Sequence, residues 1–462
     1  MAHLTGHRKK RAGRELDAGR GARLGTGKQG ATTMHRFFLA LALALAPAAA
    51  SAQPAPETVV VTAARMVDVL AGRVVEEPVV VITGGRIVSV VGRGGARPVV
   101  PAGARRIDLP GMTILPGLID MHVHLDSSPF YGPYESLQFT DLFQTVMGPG
   151  FARDMLEAGF TTVRNVGSDN YADVAYMQAI DEGRIAGPRI VPAAYALSAT
   201  GGHCDETFLP PEYHRPAPGV ADGPQQLRQR VREMRAAGAQ VIKVCATGGV
   251  FSRNTEPGQQ QLSEDELRAI AEEAHQWGLR VAAHAHGAAG IRAAIRAGID
   301  TIEHASLIDA EGIRLARERG AWLVMDIYNS EYTQEFGRAN GILEDNLRKD
   351  REIAQLQRDN FRAAHRAGVR MAFGSDAGVM PHGLAVRQFR WMVEYGMSPM
   401  EAIQAATRNA AQALGREADV GAVAVGRYAD MVAVDGDPLA DVRQLESVDV
   451  VIKGGTVVSD RR

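Results

Sequence analysis

Between residues 112 and 415 short β-branched runs alternate with longer helical stretches, and this alternation limits the fold more than any other feature of the chain. The strand-like runs are residues 113–115 leading into 120–124, then 161–165, 189–194, 241–245, 281–284, 301–304, 322–325 and 371–374. Helical patterns fall between them, as at 225–237, 264–278, 288–297 and 345–367. Eight strands, each followed by a helix or a long loop, predict an α/β fold: a parallel (β/α)8 TIM barrel over 112–415. In that architecture the reactive groups sit where the loops converge, at the carboxyl ends of the strands.

The two ends of the chain have a different character. Residues 57–108 read as short β segments with Gly84-Gly85 at a turn, and strand-like runs return at 428–434 and 448–453, followed by Gly454-Gly455. Each end alone has little core to bury, so 53–111 and 416–462 are expected to assemble one small β-sandwich domain. Ahead of them, residues 34–52 carry a basic start, an apolar run and Ala50-Ser51-Ala52 before Gln53, the pattern of a signal peptide. Residues 1–33 are basic and poor in hydrophobes, as in a disordered leader or a misassigned start. A periplasmic or secreted protein without a stable membrane anchor is the expectation. The net charge of −2 gives no electrostatic reason for a nucleic-acid partner. With two cysteines, Cys204 and Cys245, no disulfide framework holds the fold; whether those two pair is open.

The chemistry is concentrated at the predicted strand ends. His122 and His124 are two apart on a strand, so their imidazoles project from one face and could chelate a divalent ion. Two ordinary polar histidines would read the same way. Lys243 interrupts the apolar run Val241-Ile242-Lys243-Val244-Cys245. A buried ammonium costs roughly several kcal/mol unless neutralised, and burial frees the amine to react with carbon dioxide. The carbamate so formed could bridge two metals; a lysine with its head in water is the plainer alternative. His284, His304 and Asp376 each end a strand of their own. Together these residues form a ligand set suited to zinc, with manganese, cobalt or iron as substitutes.

The series His122-x-His124, Lys243, His284, His304, Asp376, together with LPGLIDMHVHL, IKVCATGGV, VAAHAHG, TIEHAS and GSDAG, resembles the binuclear branch of the amidohydrolase superfamily. Within it, these segments resemble the Xaa-Pro dipeptidase-like group, which includes metallo-carboxypeptidases and to which ochratoxin-hydrolysing amidohydrolases are similar. The resemblance covers nearly all of the chain after the signal peptide. It implies that His122, His124 and Asp376 hold one metal, that His284 and His304 hold the second, and that carboxylated Lys243 bridges them. It implies a small-molecule substrate, a dipeptide or N-acyl amino acid, attacked by a bridging hydroxide to release the C-terminal amino acid. Homo-oligomers are common among such enzymes.

In that scheme Asp376 is ligand and general base, and His286, two residues beyond His284, stabilises the oxyanion or binds substrate. Candidates for holding the substrate carboxylate are His203, His286, Arg253 and Tyr328, each at a predicted strand mouth. Solvated loop positions explain Arg253 and Tyr328 equally well. His382 could support the site, whereas His275 and His365 read as surface or packing residues. Rival readings are a cyclic-amide hydrolase or deaminase on the same barrel, and an inactive barrel kept as a binding protein.

Overall fold

The computed structural model describes residues 57–462 apart from His214. The leader and the signal peptide therefore lie outside the described residues. Five strands open the described chain: β1 (Thr58–Asp68), β2 (Arg73–Glu76), β3 (Val79–Thr83), β4 (Arg86–Val91) and β5 (Arg105–Pro116). Eight follow in alternation with helices: β6 (Leu118–Val123), β7 (Phe160–Asn165), β8 (Arg189–Pro192), β9 (Val241–Cys245), β10 (Arg280–Ala285), β11 (Thr301–His304), β12 (Trp322–Val324) and β13 (Arg370–Ala372). Strands β14 (Met431–Asp435), β15 (Val450–Lys453) and β16 (Thr456–Asp460) close the chain.

Strands from both ends share one sheet, in the order β16-β15-β14-β5-β1-β3-β4 with β2 against β1. The long strands β1 and β5 carry hydrogen bonding across the whole sheet: β1 shifts register between Ala63 and Arg65, pairing β3 before the irregularity and β2 after it. In β5, Gly111 takes φ +80°, a left-handed conformation that costs glycine little, where the strand begins to pair with β14. One face of the sheet buries Val59, Val61, Ile82, Ile107, Ile114, Met431 and Val450 in a core of its own.

The eight middle strands are parallel to their neighbours in a three-stranded sheet, β6-β7-β8, and a five-stranded sheet, β13-β12-β11-β10-β9. Backbone hydrogen bonds run between the two. Leu197 N donates to Lys243 O and Cys245 N to Leu197 O, both at 2.8 Å, and Met121 N donates to Phe373 O at 2.9 Å. The protein is thus a mixed α/β fold in which β-branched strands are flanked by amphipathic helices. Local chemistry sets the helix limits. Ser263 and Glu266 form a reciprocal capping box that starts Glu264–Gln276, and Gly298 in a left-handed conformation ends Ala288–Ala297. Among the described residues no helix is long and apolar enough to cross a membrane.

Candidate metal centre and catalytic cavity

A cavity of about 640 Å³ opens at the carboxyl ends of the parallel strands, and the sequence-predicted residues His122, His124, Lys243, His284, His286, His304 and Asp376 all line it, with His203 beside them. The backbone bends there. His304 and Asp376 adopt φ +64° and +58°, and Ala194 and Ala305 are also left-handed. Non-glycine residues take up this strained region rarely, and mostly where function requires a side chain to be re-aimed. Close approach is built in as well: a Cβ on Gly374 would lie 2.3 Å from Val324 Cγ1 and 3.1 Å from His122 Cβ.

Each imidazole has one ring nitrogen tied and the other free. His122 Nδ1 donates to Glu303 Oε2 at 3.0 Å, His124 Nδ1 to the Gly167 carbonyl at 3.2 Å, and His304 Nδ1 to Asp326 Oδ1 at 2.8 Å. Their Nε2 atoms are thereby left as lone-pair ligands. His284 is tied the other way: its Nε2 donates to the Gly248 carbonyl at 3.1 Å, which leaves Nδ1. Asp376 Oδ1 stands 3.5 Å from His122 Nε2 and 3.6 Å from His124 Nε2, close enough for all three to share one ion. One ligand atom each of His122, His304 and Asp376, and likewise of His284, His286 and His304, falls within 4.8 Å of the others.

Burial sets the protonation states. It pulls the Lys243 ammonium down to about 8 against the raising charges of Glu303 and Asp376, so near neutral pH a usable fraction is free amine. Burial, with the Lys243 charge second, holds His122 well below the ordinary imidazole range and brings His124 to about 3. Burial also brings His203 to about 3 and keeps His284 and His286 well below the ordinary range. Neutral imidazoles are the form that binds metal. His304 differs: burial lowers it, but the charge and hydrogen bond of Asp326 outweigh that and raise it. Burial pushes Asp376 up to about 6, with Asp326 adding to the effect. The donor set therefore fits divalent metal: the neutral imidazoles of His122, His124 and His284, the Asp326-bound imidazole of His304, and the Asp376 carboxylate. Replacing Asp326 with alanine frees the His304 ring, and metal affinity is expected to fall about 10- to 100-fold in a competitive chelator titration.

Several supporting groups were not singled out from the sequence. Arg164 and Glu303 form a fully buried ion pair at 2.7 Å beneath His122, and Arg164 also donates to Thr301 Oγ1 and the Met121 carbonyl. Both are charged residues inside apolar strands, the same signal that marked Lys243. Asn329 Nδ2 reaches Asp326 Oδ2 at 2.6 Å and Asp376 Oδ2 at 3.3 Å. His382, which the sequence did offer as a supporting group, is stacked on Phe151 and donates Nε2 to the His124 carbonyl at 3.0 Å, holding a candidate ligand from behind.

Of the candidate substrate-binding residues, two are brought to the centre. His203 stacks on His284 with ring centroids 4.1 Å apart, its Nδ1 within 2.9 Å of Ser252 Oγ. His286 sits 2.7 Å from Ser306 Oγ through Nδ1. The other two depart from expectation. Arg253 reaches away from the cavity to the Tyr134 hydroxyl at 3.1 Å, and Tyr328 is buried with its hydroxyl accepting from Arg387 at 3.2 Å. Neither lines the cavity. Cys204 and Cys245, whose pairing the sequence left open, form a disulfide with Cα atoms 6.0 Å apart, joining the His203 loop to the strand that carries Lys243. Reduction by a phosphine is expected to lower unfolding free energy by roughly 4 kcal/mol, the loop-closure value for a separation of 41 residues, read from denaturant melts with and without reductant.

The sequence profile of the amidohydrolase family matches residues 113–458. This chain belongs to the amidohydrolase family. An ochratoxinase from Aspergillus niger is 35% identical over 368 residues, covering 74% of this chain and 75% of its own. Among solved structures, a Xaa-Pro dipeptidase with methionine bound in its active site superposes with a TM-score of 0.82 at 35% identity, covering 87% of this chain and 100% of that one. A prolidase complexed with N-methylphosphonate-L-proline gives 0.80 at 34% identity, with 87% and 100% covered. This family and these relatives support hydrolysis of amide bonds.

Proposed function

We propose that this amidohydrolase releases the C-terminal amino acid from dipeptides or N-acyl amino acids, with ochratoxin-type amides within its range. The observation that carries the reading is the convergence of four singly tied imidazoles, Lys243 and Asp376 in one cavity. The relatives support the substrate class, since one holds methionine and another a phosphonate of proline. His122, His124 and Asp376 would hold one divalent ion and His284 and His304 a second, zinc being the best match, with N6-carboxylated Lys243 between them. When bound, such a pair polarises an amide carbonyl and acidifies water.

The chain's own groups divide the remaining work. Asp376 turns Oδ1 toward His122 and His124, so Oδ2, beside Asn329 Nδ2, is the oxygen that takes the attacking water's proton and returns it to the leaving amide nitrogen. In the tautomer where His286 Nδ1 accepts from Ser306 Oγ, 2.7 Å away, His286 Nε2–H would donate to the oxygen that gains charge. His203, which lines the cavity, would meet the substrate carboxylate, and Leu137, Phe139 and Phe251 would give the acyl portion an apolar wall. The hydrogen bonds of Leu197 to β9 and of Met121 to Phe373 support closure of the eight parallel strands into a (β/α)8 barrel. A disulfide beside the cavity accords with export from the cytoplasm.

A library of dipeptides and N-acyl amino acids, read by amino-acid release, tests the reading. Release from a subset of them is expected. Ring opening of cyclic amides or ammonia release, with no amino acid freed, would replace it with the hydantoinase or deaminase alternative.

A further inference from the structure

A second cavity, of about 670 Å³, lies at the opposite ends of the strands from the catalytic one. Arg280 opens β10, Trp322 opens β12 and Arg370 opens β13, and all three line it. Most arginines of this protein are matched to a carboxylate, as Arg189 is to Asp430 and Arg232 to Glu273. Among the described residues the guanidinium groups of half-buried Arg280 and exposed Arg370 make no side-chain hydrogen bond and no ion pair; Arg280 packs beside the helix-ending Gly415 and Arg370 beside the helix-ending Gly320, with the Trp322 ring centroid 5.6 Å from Arg370.

A third guanidinium joins them. Arg408 belongs to a π-helical turn, Ala405–Asn409, that forms part of the cavity wall. Such turns are rare and concentrate at functional sites, because the extra residue redirects side chains that an α-helix would hold elsewhere. Arg408 keeps only long bonds, 3.4 Å to the Val69 carbonyl and 3.3 Å to Gln404 Oε1, besides its neighbour Asn409. The wall also carries two carboxylates: Glu401 is engaged, accepting from the Ser398 backbone and hydroxyl at 2.8 Å each and lying 3.4 Å from His365 of the same wall, and Glu417 is the second.

We propose that this cavity binds a small oxyanion, a carboxylate or a phosphate, held by the planar forks of Arg280 and Arg370 with Arg408 in support. Guanidinium groups match two-oxygen anions in geometry as well as charge. Val369 and Met397 on the same wall leave room for a short apolar body on a carboxylate. The proposal is independent of the reaction assigned to the catalytic cavity.

Isothermal titration of the whole protein with sodium phosphate and with sodium acetate, at ionic strength held constant with sodium chloride, tests it. Saturable binding of at least one of the two is expected, and which one binds tells a phosphate site from a carboxylate site. Arg280→Gln and Arg370→Gln, with anion-free melting temperatures checked against the parent, should each weaken that binding about tenfold or more. Arg280→Lys should restore only part of it, since the charge returns without the fork. No saturable binding of either anion, or binding unchanged in both glutamine variants, as from anions lodging in the catalytic cavity, would overturn the proposal.

Discussion

Asp376→Asn is expected to lower kcat/KM about 10²- to 10⁴-fold, the span over which a positioned general base contributes to proton transfer. The argument rests on the two faces of this carboxylate. Oδ1 sits with His122 and His124, whereas Oδ2 meets only the amide of Asn329 and opens toward the cavity. Asparagine keeps the size of the side chain and an oxygen for the Oδ1 position but cannot carry a proton between water and leaving nitrogen. The loss should therefore fall mainly on kcat, with KM little changed. Steady-state kinetics on a dipeptide that the wild type cleaves would show this; a variant retaining more than a tenth of wild-type kcat would remove Asp376 from the proton path.

Lys243→Ala is expected to cost more than 10²-fold in activity and to lose bound metal as well. A ligand that bridges two ions should matter more than an outer partner, whose removal alone costs about 10- to 100-fold in affinity. Lys243 is 3% exposed on β9, and burial already lowers its ammonium to about 8, so the amine is poised for carboxylation. Alanine removes the stem that positions the carbamate and leaves an opening at that place. Acetate or propionate added to the variant should enter the opening and restore part of the activity, which a merely structural lysine would not allow. Activity and rescue are read in the same assay.

Much of this arrangement is legible in the sequence because polar residues interrupt apolar strands at regular places. The eight middle strands lie within a few residues of their expected bounds, since each β-branched run stops at a turn or a reactive residue. The helix Phe143–Glu157 is hidden by Gly148-Pro149-Gly150, a run that reads as a turn but is tolerated within the helix. Strand β5 is masked in the same way by Pro110-Gly111, after which the chain keeps β1 as a partner and gains β14 without leaving the sheet. Arg253 and Tyr328 follow strands, and position along the chain does not tell which way a loop side chain turns; Tyr134 and Arg387 decide it. Arg164 and Glu303 could have been found by the rule that found Lys243, applied to TTVRN and TIEH. The disulfide depends on the path of the loop after β8, which spacing alone does not give.

The account depends on the singly tied imidazoles, Asp376 and Lys243 forming one dinuclear site. Elemental mass spectrometry on protein prepared with zinc and bicarbonate measures this without reference to any substrate. Two ions per chain are predicted for the wild type, with an intact mass on Lys243 heavier by one carbon dioxide, and fewer ions for Lys243→Ala. Fewer than one ion per chain in the wild type, or an undiminished count in Lys243→Ala, would contradict it.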